Sequence, residues 1–105
     1  MLRIYPVVLS LIESLSPLIR QLERHDPDLP RQCRRALASA PLNLAEGSYS
    51  RGRNRKARYH TALGSLREAL ACLEGATAMG YLPPVTSSLR AEFDRISGTL
   101  VRLVG

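Results

Sequence analysis

The sequence concentrates its chemistry in a run of cations between Arg51 and Arg58. Five cations fall within these eight residues and no carboxylate accompanies them: Arg51, Arg53, Arg55, Lys56 and Arg58. The run spans a predicted loop and the first turn of the next helix, where the positive end of the helix dipole disfavours cations. Free backbone N–H groups at a helix start bind anions, so the segment suits phosphate oxygens or a carboxylate-rich surface. The alternative is a solvated basic loop that keeps the protein soluble.

A second basic group lies on the preceding predicted helix and consists of Arg31, Arg34 and Arg35, partly offset by Asp28. The whole chain has 15 Lys and Arg against 9 Asp and Glu, a formal net charge of +6. Such an excess favours an anionic partner such as RNA or DNA. No helix-turn-helix, zinc-finger or ribonucleoprotein motif is present, and the five aromatic residues are scattered. Any nucleic-acid binding is therefore expected to be directed at the backbone and sensitive to salt.

Candidate catalytic and metal-binding residues are few. Cys33 and Cys72 lack CxxC spacing and lie on apolar helix faces, where a free cysteine packs as a small hydrophobic residue. His25 and His60 have no sequence neighbours that suggest a site, and the Glu-x-x-His motif of di-iron bundles is absent. A bundle pocket lined by Arg and Glu could bind a dianion, but arginines are too abundant here to discriminate. We expect no enzyme activity, no cofactor and no metal.

The elements that must position the cations are predicted to be helices, because apolar residues recur at spacings of three and four. The first predicted helix has its apolar residues at 4, 8, 11, 15, 18 and 22, with a kink or fraying at Pro17. Asp28 is the expected N-cap of the second helix, which contains Pro41 and ends in a polar stretch at residues 48–54. A third helix is predicted over about residues 55–79, ending at Gly80, and a fourth over about residues 84–103. The sequence predicts an all-α, antiparallel four-helix bundle that forms a single domain over residues 1–105.

The third predicted helix has two parallel apolar rows. One contains Tyr59 and four leucines, and the other consists mostly of small residues: Ala62, Ser65, Ala69, Cys72, Ala76 and Met79. Two rows make a buried face wider than one neighbouring helix covers. The second row is therefore expected to serve oligomer contacts or helix packing through Ala62, Ala69, Ala76 and Met79.

The N-terminal segment does not have the features of a membrane span. It contains no stretch of 18 uncharged apolar residues, and no small-residue cleavage site follows a hydrophobic run. A cytoplasmic protein without membrane association is expected.

Four short segments occur in an order that resembles a known protein family. They are residues 28–36 (DLPRQCRRA), 40–47 (APLNLAEG), 62–68 (ALGSLRE) and 80–82 (GYL). Together they resemble the bacterial family described as four helix bundle protein and as 23S rRNA intervening-sequence protein, over about residues 28–104. The sequence departs from the family pattern in Leu44, in a short first helix with Pro17, and in a more basic run at residues 51–58.

The resemblance implies a homopentameric ring without catalytic activity. A related group within the family is the accessory protein of diversity-generating retroelements, which binds a reverse transcriptase and nucleic acid, so an adaptor is expected. The alternative is a structural or protein-interaction module whose charge only maintains solubility. The motifs contain the residues Asn43, Glu46, Gly47, Ser65 and Glu68. These are expected to cap helices, brace the bend at Pro41 or pair across helices. The alternative is that they contact a ligand directly.

Overall fold

The computed structural model describes residues 2–105, which form four helices: α1 (Ile4–Leu22), α2 (Leu29–Ser48), α3 (Gly52–Ala78) and α4 (Ser87–Val104). Each helix packs against the next one in the chain, and α1 also contacts α4, so the helices enclose one core. The α2–α3 interface is the most extensive. The prediction of an all-α four-helix bundle is confirmed, and no strand occurs within residues 2–105.

Helix α1 follows the predicted apolar spacing except in its last turn. Ile4, Val8, Leu11, Leu15 and Leu22 are buried as predicted; Ile19 is buried in place of Leu18, which is half-buried. Because an α-helix has 3.6 residues per turn, a strict seven-residue pattern drifts around the helix. In the last turn the adjacent position, Ile19, therefore faces the core instead of Leu18. The helix continues through Pro17 without a break, which contradicts the expected fraying.

Asp28 is the N-cap residue of α2, as predicted, but the side chain that holds the turn between α1 and α2 is Asp26. The Asp26 Oδ1 atom accepts hydrogen bonds from the backbone N–H groups of Asp28 at 2.7 Å and Leu29 at 2.8 Å. Asp28 already has helical backbone angles (φ −94°, ψ −41°), and its side chain makes no capping bond. A capping side chain reaches back only from an extended backbone. Pro30 lies in the first turn of α2, as predicted.

The end of α3 confirms the predicted left-handed glycine. Gly80 has φ +81°, and the N–H groups of Tyr81 and Gly80 donate to the carbonyls of Ala76 (2.9 Å) and Thr77 (3.0 Å). These two bonds form a Schellman motif. Helix α4 then begins at Ser87, a few residues after the predicted start, because the Thr86 side chain accepts from the N–H of Leu89 at 3.1 Å.

The wide apolar face of α3 is covered by two neighbouring helices of the same chain, α2 and α4. The small-residue row faces α2, since the Ser65 hydroxyl of this row lies 2.8 Å from the Ser39 hydroxyl. Helix α4 also packs against α3. Ala62, Ala69 and Ala76 are completely buried in the single chain, whereas Met79 is 60% exposed. The three alanines therefore serve helix packing, and the extra neighbour that the wide face requires is α2 itself.

Helices α2 and α3 form an antiparallel hairpin, in which Ser39 meets Ser65 and Gly47 meets Tyr59. At the closed end of the hairpin the two backbones approach closely. A Cβ atom on Gly47 would lie 2.7 Å from the Cδ1 atom of Tyr59, a distance that real Cβ atoms do not tolerate. Only glycine fits at this crossing without displacing the buried Tyr59 ring.

Candidate nucleic-acid interface

The basic run lies mainly on a helix, which corrects the prediction of a loop followed by a first turn. Helix α3 begins at Gly52, three residues earlier than predicted, because Gly52 adopts φ +57° directly after the extended Arg51. Residues 51–58 are all exposed. The run therefore presents its cations over the first two turns of α3 at the closed end of the α2–α3 hairpin.

Two members of the run hold the hairpin together. The Arg55 Nε atom donates to the backbone carbonyl of Gly47 in the last turn of α2 at 3.2 Å and to that of Ser50 in the α2–α3 connection at 2.9 Å. Carbonyls at a helix end lack partners within the helix, and a cation there also complements the helix dipole. One Arg58 guanidinium nitrogen donates to the Asn43 Oδ1 atom at 3.4 Å.

The other three cations, Arg51, Arg53 and Lys56, have no hydrogen-bond or ion-pair partner within residues 2–105. Their heads are exposed to solvent. An unpaired cation contacts a phosphate without first breaking an internal ion pair. These three are therefore the members of the run best suited to bind an anion.

The second basic group is not brought next to the first. Arg31, Arg34 and Arg35 lie at the start of α2, and the end of α2, which precedes the basic run, is about 20–26 Å away at 1.5 Å per residue. Arg34 forms an ion pair with Glu23, and Arg31 lies 3.8 Å from Asp28. Two of its three arginines thus face a carboxylate, which weakens the case for this group as an anion site.

The net charge is confined to one end of the bundle. The ion pairs Arg34–Glu23 and Arg90–Glu74 place the end of α1 beside the start of α2, and the start of α4 beside the end of α3. The remaining termini therefore meet at the closed end of the hairpin, here called the basic end (residues 2–5, 45–60 and 98–105). This end contains seven Lys and Arg and one carboxylate, Glu46, whereas the rest of the chain contains eight of each sign.

The motif residues Asn43 and Ser65 pair across helices. The Asn43 amide donates to the carbonyl of Ser39 at 2.9 Å and to its hydroxyl at 3.0 Å, and the Ser65 hydroxyl donates to the same Ser39 hydroxyl at 2.8 Å. With Arg58 on Asn43, this makes a polar network that links α2 and α3. Ser39 is the shared member, and sequence reasoning missed it; its position four residues before Asn43 was the available signal.

The other motif residues have different roles. Gly47 permits the close packing against Tyr59 described above. Glu46 and Glu68 are exposed, and neither side chain has a hydrogen-bond or ion-pair partner among residues 2–105. Of the five motif residues, the expected structural role is therefore seen for Asn43, Gly47 and Ser65.

Two polar cavities lie along one side of the α2–α3 interface and are together called the polar groove here. One cavity in it, of about 410 Å³, is lined by Gln32, Arg35, Ala36, Ser39, Ser65 and Glu68. A second, of about 430 Å³ and nearer the basic end, is lined by Ser50, Asn54, Ala57, Arg58 and Thr61. The bond between Arg58 and Asn43 lies between the two cavities. The groove thus presents hydroxyls, amides and guanidinium groups beside the basic run.

The two cysteines are buried thiols in the core. Burial raises the pKa of the Cys33 thiol to about 12, and nearby Cys72 adds to the rise. The pKa of Cys72 is also raised, mainly by burial and further by Glu68. Neither forms a reactive thiolate near neutral pH. Within residues 2–105, no group of three or more His, Cys, Asp or Glu side chains could hold a metal ion, and no helix is long and apolar enough to cross a membrane.

Comparison with known proteins identifies one family. A family model described as 23S rRNA-intervening sequence protein matches residues 2–102 of the chain. No curated protein and no solved structure matches it.

Proposed function

The chain belongs to the 23S rRNA-intervening sequence protein family, and we propose that it is a non-enzymatic, oligomeric adaptor that binds the backbone of RNA or DNA through its basic end. The observation that supports this proposal is the confinement of the whole net charge to that end. A concentrated positive field attracts polyanions and releases their counterions on binding. A charge that served solubility alone would have no need to be gathered at one end.

Backbone recognition is favoured over base recognition by the side chains that are available. Arg51, Arg53 and Lys56 reach outward without partners, and Arg and Lys are the usual contacts of phosphate oxygens. The only aromatic residues at this end are Tyr5, Tyr49 and the buried Tyr59, so a platform for stacking several bases is missing from residues 2–105. Binding is therefore expected to be independent of sequence. A nucleic-acid-bound protein, such as a reverse transcriptase, would be recruited through the same complex.

Assembly is proposed as a homopentameric ring of antiparallel bundles, on the basis of family membership. An outer ridge formed by Leu42 of α2 and Tyr49 at its C-cap supports self-association, since these side chains are 64% and 87% exposed. Exposed apolar side chains grouped on one face mark interaction surfaces. Light scattering on the purified protein tests the assembly, and a monomer at micromolar concentration would contradict it.

The same ridge favours the second candidate function, a protein-interaction module with no nucleic-acid role. The two candidates are separated by a pair of variants with identical net charge. The first changes Arg51, Arg53 and Lys56 to Ser, and the control changes Arg20, Arg24 and Arg67 to Ser. All six side chains are exposed and none is in an ion pair among the described residues.

Fluorescence anisotropy with a labelled oligonucleotide then measures binding over a salt series. We expect the basic-end variant to lose most of its affinity and the control to bind within a few-fold of the wild type. If three phosphates of a single strand are no longer neutralised, the slope of log K against log salt falls by roughly 2. Equal curves for the two variants, or no binding by the wild type at low salt, would leave the interaction module.

A further inference from the structure

We propose that the polar groove between α2 and α3 is a binding track for a single strand of nucleic acid, entering from the basic end and ending before Glu68. This inference rests on the proposed function and adds a path to it. The groove begins beside Arg58 and continues toward the Ser39–Ser65 contact. From its last residue, Ser48, back to Ser39, helix α2 rises about 14 Å, a length of about four stacked nucleotides.

The lining of the groove has the chemistry of sugar–phosphate contacts. Apart from the Glu68 carboxylate, its polar groups are hydroxyls, amides and two guanidinium groups, which are the side chains that bind phosphate and sugar oxygens. Thr61 and Asn54 lie on the α3 wall, and Ser50 lies in the α2–α3 connection. Leucine, isoleucine, valine and phenylalanine are absent from the lining of both cavities, which argues against an apolar ligand or an amphipathic helix.

The Ser39–Ser65 hydroxyl pair has a proton to donate into this groove. One of the two hydroxyl protons lies in the 2.8 Å contact between them, and the Ser39 oxygen also accepts from the Asn43 amide at 3.0 Å. The other hydroxyl proton is therefore left for an acceptor outside the network, and both side chains line the same cavity. A phosphate or sugar oxygen supplies such an acceptor.

Glu68 defines the far end of the track. It lines the same cavity as Ser39, it is exposed, and no cation pairs with it among the described residues. Glu46 lines neither cavity, whereas the Glu68 carboxylate lies in one of them and repels phosphate there, so the strand is expected to leave the groove before Glu68. Arg35 lines this cavity as well. In a variant without the Glu68 charge, its guanidinium group is expected to bind a phosphate of the strand.

Two pairs of variants with matched net charge test the track. Thr61→Glu places a carboxylate inside the groove, and Ala71→Glu places one on the exposed outer face of the same helix. Glu68→Gln removes the carboxylate at the end of the track, and Glu13→Gln removes an exposed carboxylate from α1. The probe is a labelled oligothymidylate, and its binding is measured by anisotropy over a salt series and over several strand lengths.

We expect Thr61→Glu to weaken binding about tenfold relative to Ala71→Glu and to lower the slope of log K against log salt by roughly 0.7 for each phosphate that the groove no longer holds. Glu68→Gln is expected to strengthen binding several-fold over Glu13→Gln, and only for strands long enough to reach residue 68. Circular dichroism checks that each variant keeps the wild-type helicity.

The outcomes separate this inference from the proposed function. One outcome is that the wild type binds, the variant at Arg51, Arg53 and Lys56 does not bind, and the two members of each matched pair bind equally. The strand is then held at the basic end alone, and the proposed track is wrong. If the wild type fails to bind oligothymidylate at low salt, the track and the proposed function are both contradicted.

Discussion

The basic end of the bundle and the opposite end (residues 20–35 and 74–90) both contain many arginines, but only one end pairs them with carboxylates. At the opposite end, Arg34 meets Glu23 and Arg90 meets Glu74. At the basic end, the cations of the run bind backbone carbonyls or an amide, or have no partner among the described residues. The number of arginines is therefore a poor guide to an anion site, and the carboxylates that the fold brings beside them are a better one.

The difference arises in the connections between helices. The α1–α2 connection contains Glu23, Asp26 and Asp28, which face the first turns of α2. The α2–α3 connection contains serine, tyrosine and arginine and no carboxylate. At the basic end the connection is held by a side chain of the run instead: Arg55 binds the carbonyl of Gly47 in the last turn of α2 and that of Ser50 in the connection.

The largest expected effect concerns the close crossing that shapes the basic end. Gly47→Ala is expected to lower the free energy of unfolding by about 2 kcal/mol, because its Cβ atom would overlap the buried Tyr59 ring. Gly64→Ala is the matched control: no atom lies within 4 Å of the new Cβ, and alanine in a helix interior is favoured by about 1 kcal/mol. Urea denaturation measures both. Destabilisation by Gly64→Ala, or none by Gly47→Ala, would contradict the crossing.

A smaller effect is expected at the opposite end, where one of two nearby aspartates holds the turn. Asp26→Ala is expected to lower the free energy of unfolding by about 1 kcal/mol, because two backbone N–H groups lose their acceptor. Asp28→Ala removes only an exposed contact with Arg31 at 3.8 Å, which is worth about 0.5 kcal/mol or less. Thermal unfolding of the two variants ranks them, and the reverse order would mean that the Asp28 side chain holds the turn.

The smallest effect distinguishes the structural cations of the basic run from the free ones. Arg55→Ser is expected to lower the free energy of unfolding by about 0.5 kcal/mol, since it removes the hydrogen bonds to the carbonyls of Gly47 and Ser50. Arg53→Ser removes the same charge from the same turn and should leave stability unchanged. Denaturant midpoints of both variants, measured in one buffer, supply the comparison. Equal midpoints would mean that Arg55 does not hold α2.

The helices and most of the core are predictable from the sequence because they depend on spacing alone. The apolar residues of all four helices recur at spacings of three and four residues, and Gly80 ends α3 as expected. The seven-residue repeat does not predict the burial of Ile19 in place of Leu18, because this repeat departs from the true helical period of 3.6 residues. The start of α3 escapes it because Gly52 lies in a polar stretch that resembles a break, whereas its φ of +57° opens the helix.

The site is less predictable, because its members are joined by packing between helices. The sequence identifies Asn43 and Ser65 through their motifs, but their link runs through Ser39, twenty-six residues before Ser65. The division of the basic run into anchored and free cations also depends on which carbonyls of α2 lie beside Arg55. Such pairings require the register of the α2–α3 hairpin, which residue types alone do not specify.

The most direct test of the account is to observe which end of the bundle meets nucleic acid. Amide chemical shifts can be followed while an oligothymidylate is added to the protein at low salt. The account predicts that the amides of residues 47–58 shift in proportion to binding and that those of residues 23–35 do not. Shifts that centre on residues 23–35, or that spread equally over both ends, would contradict the claim that the basic end is the nucleic-acid interface.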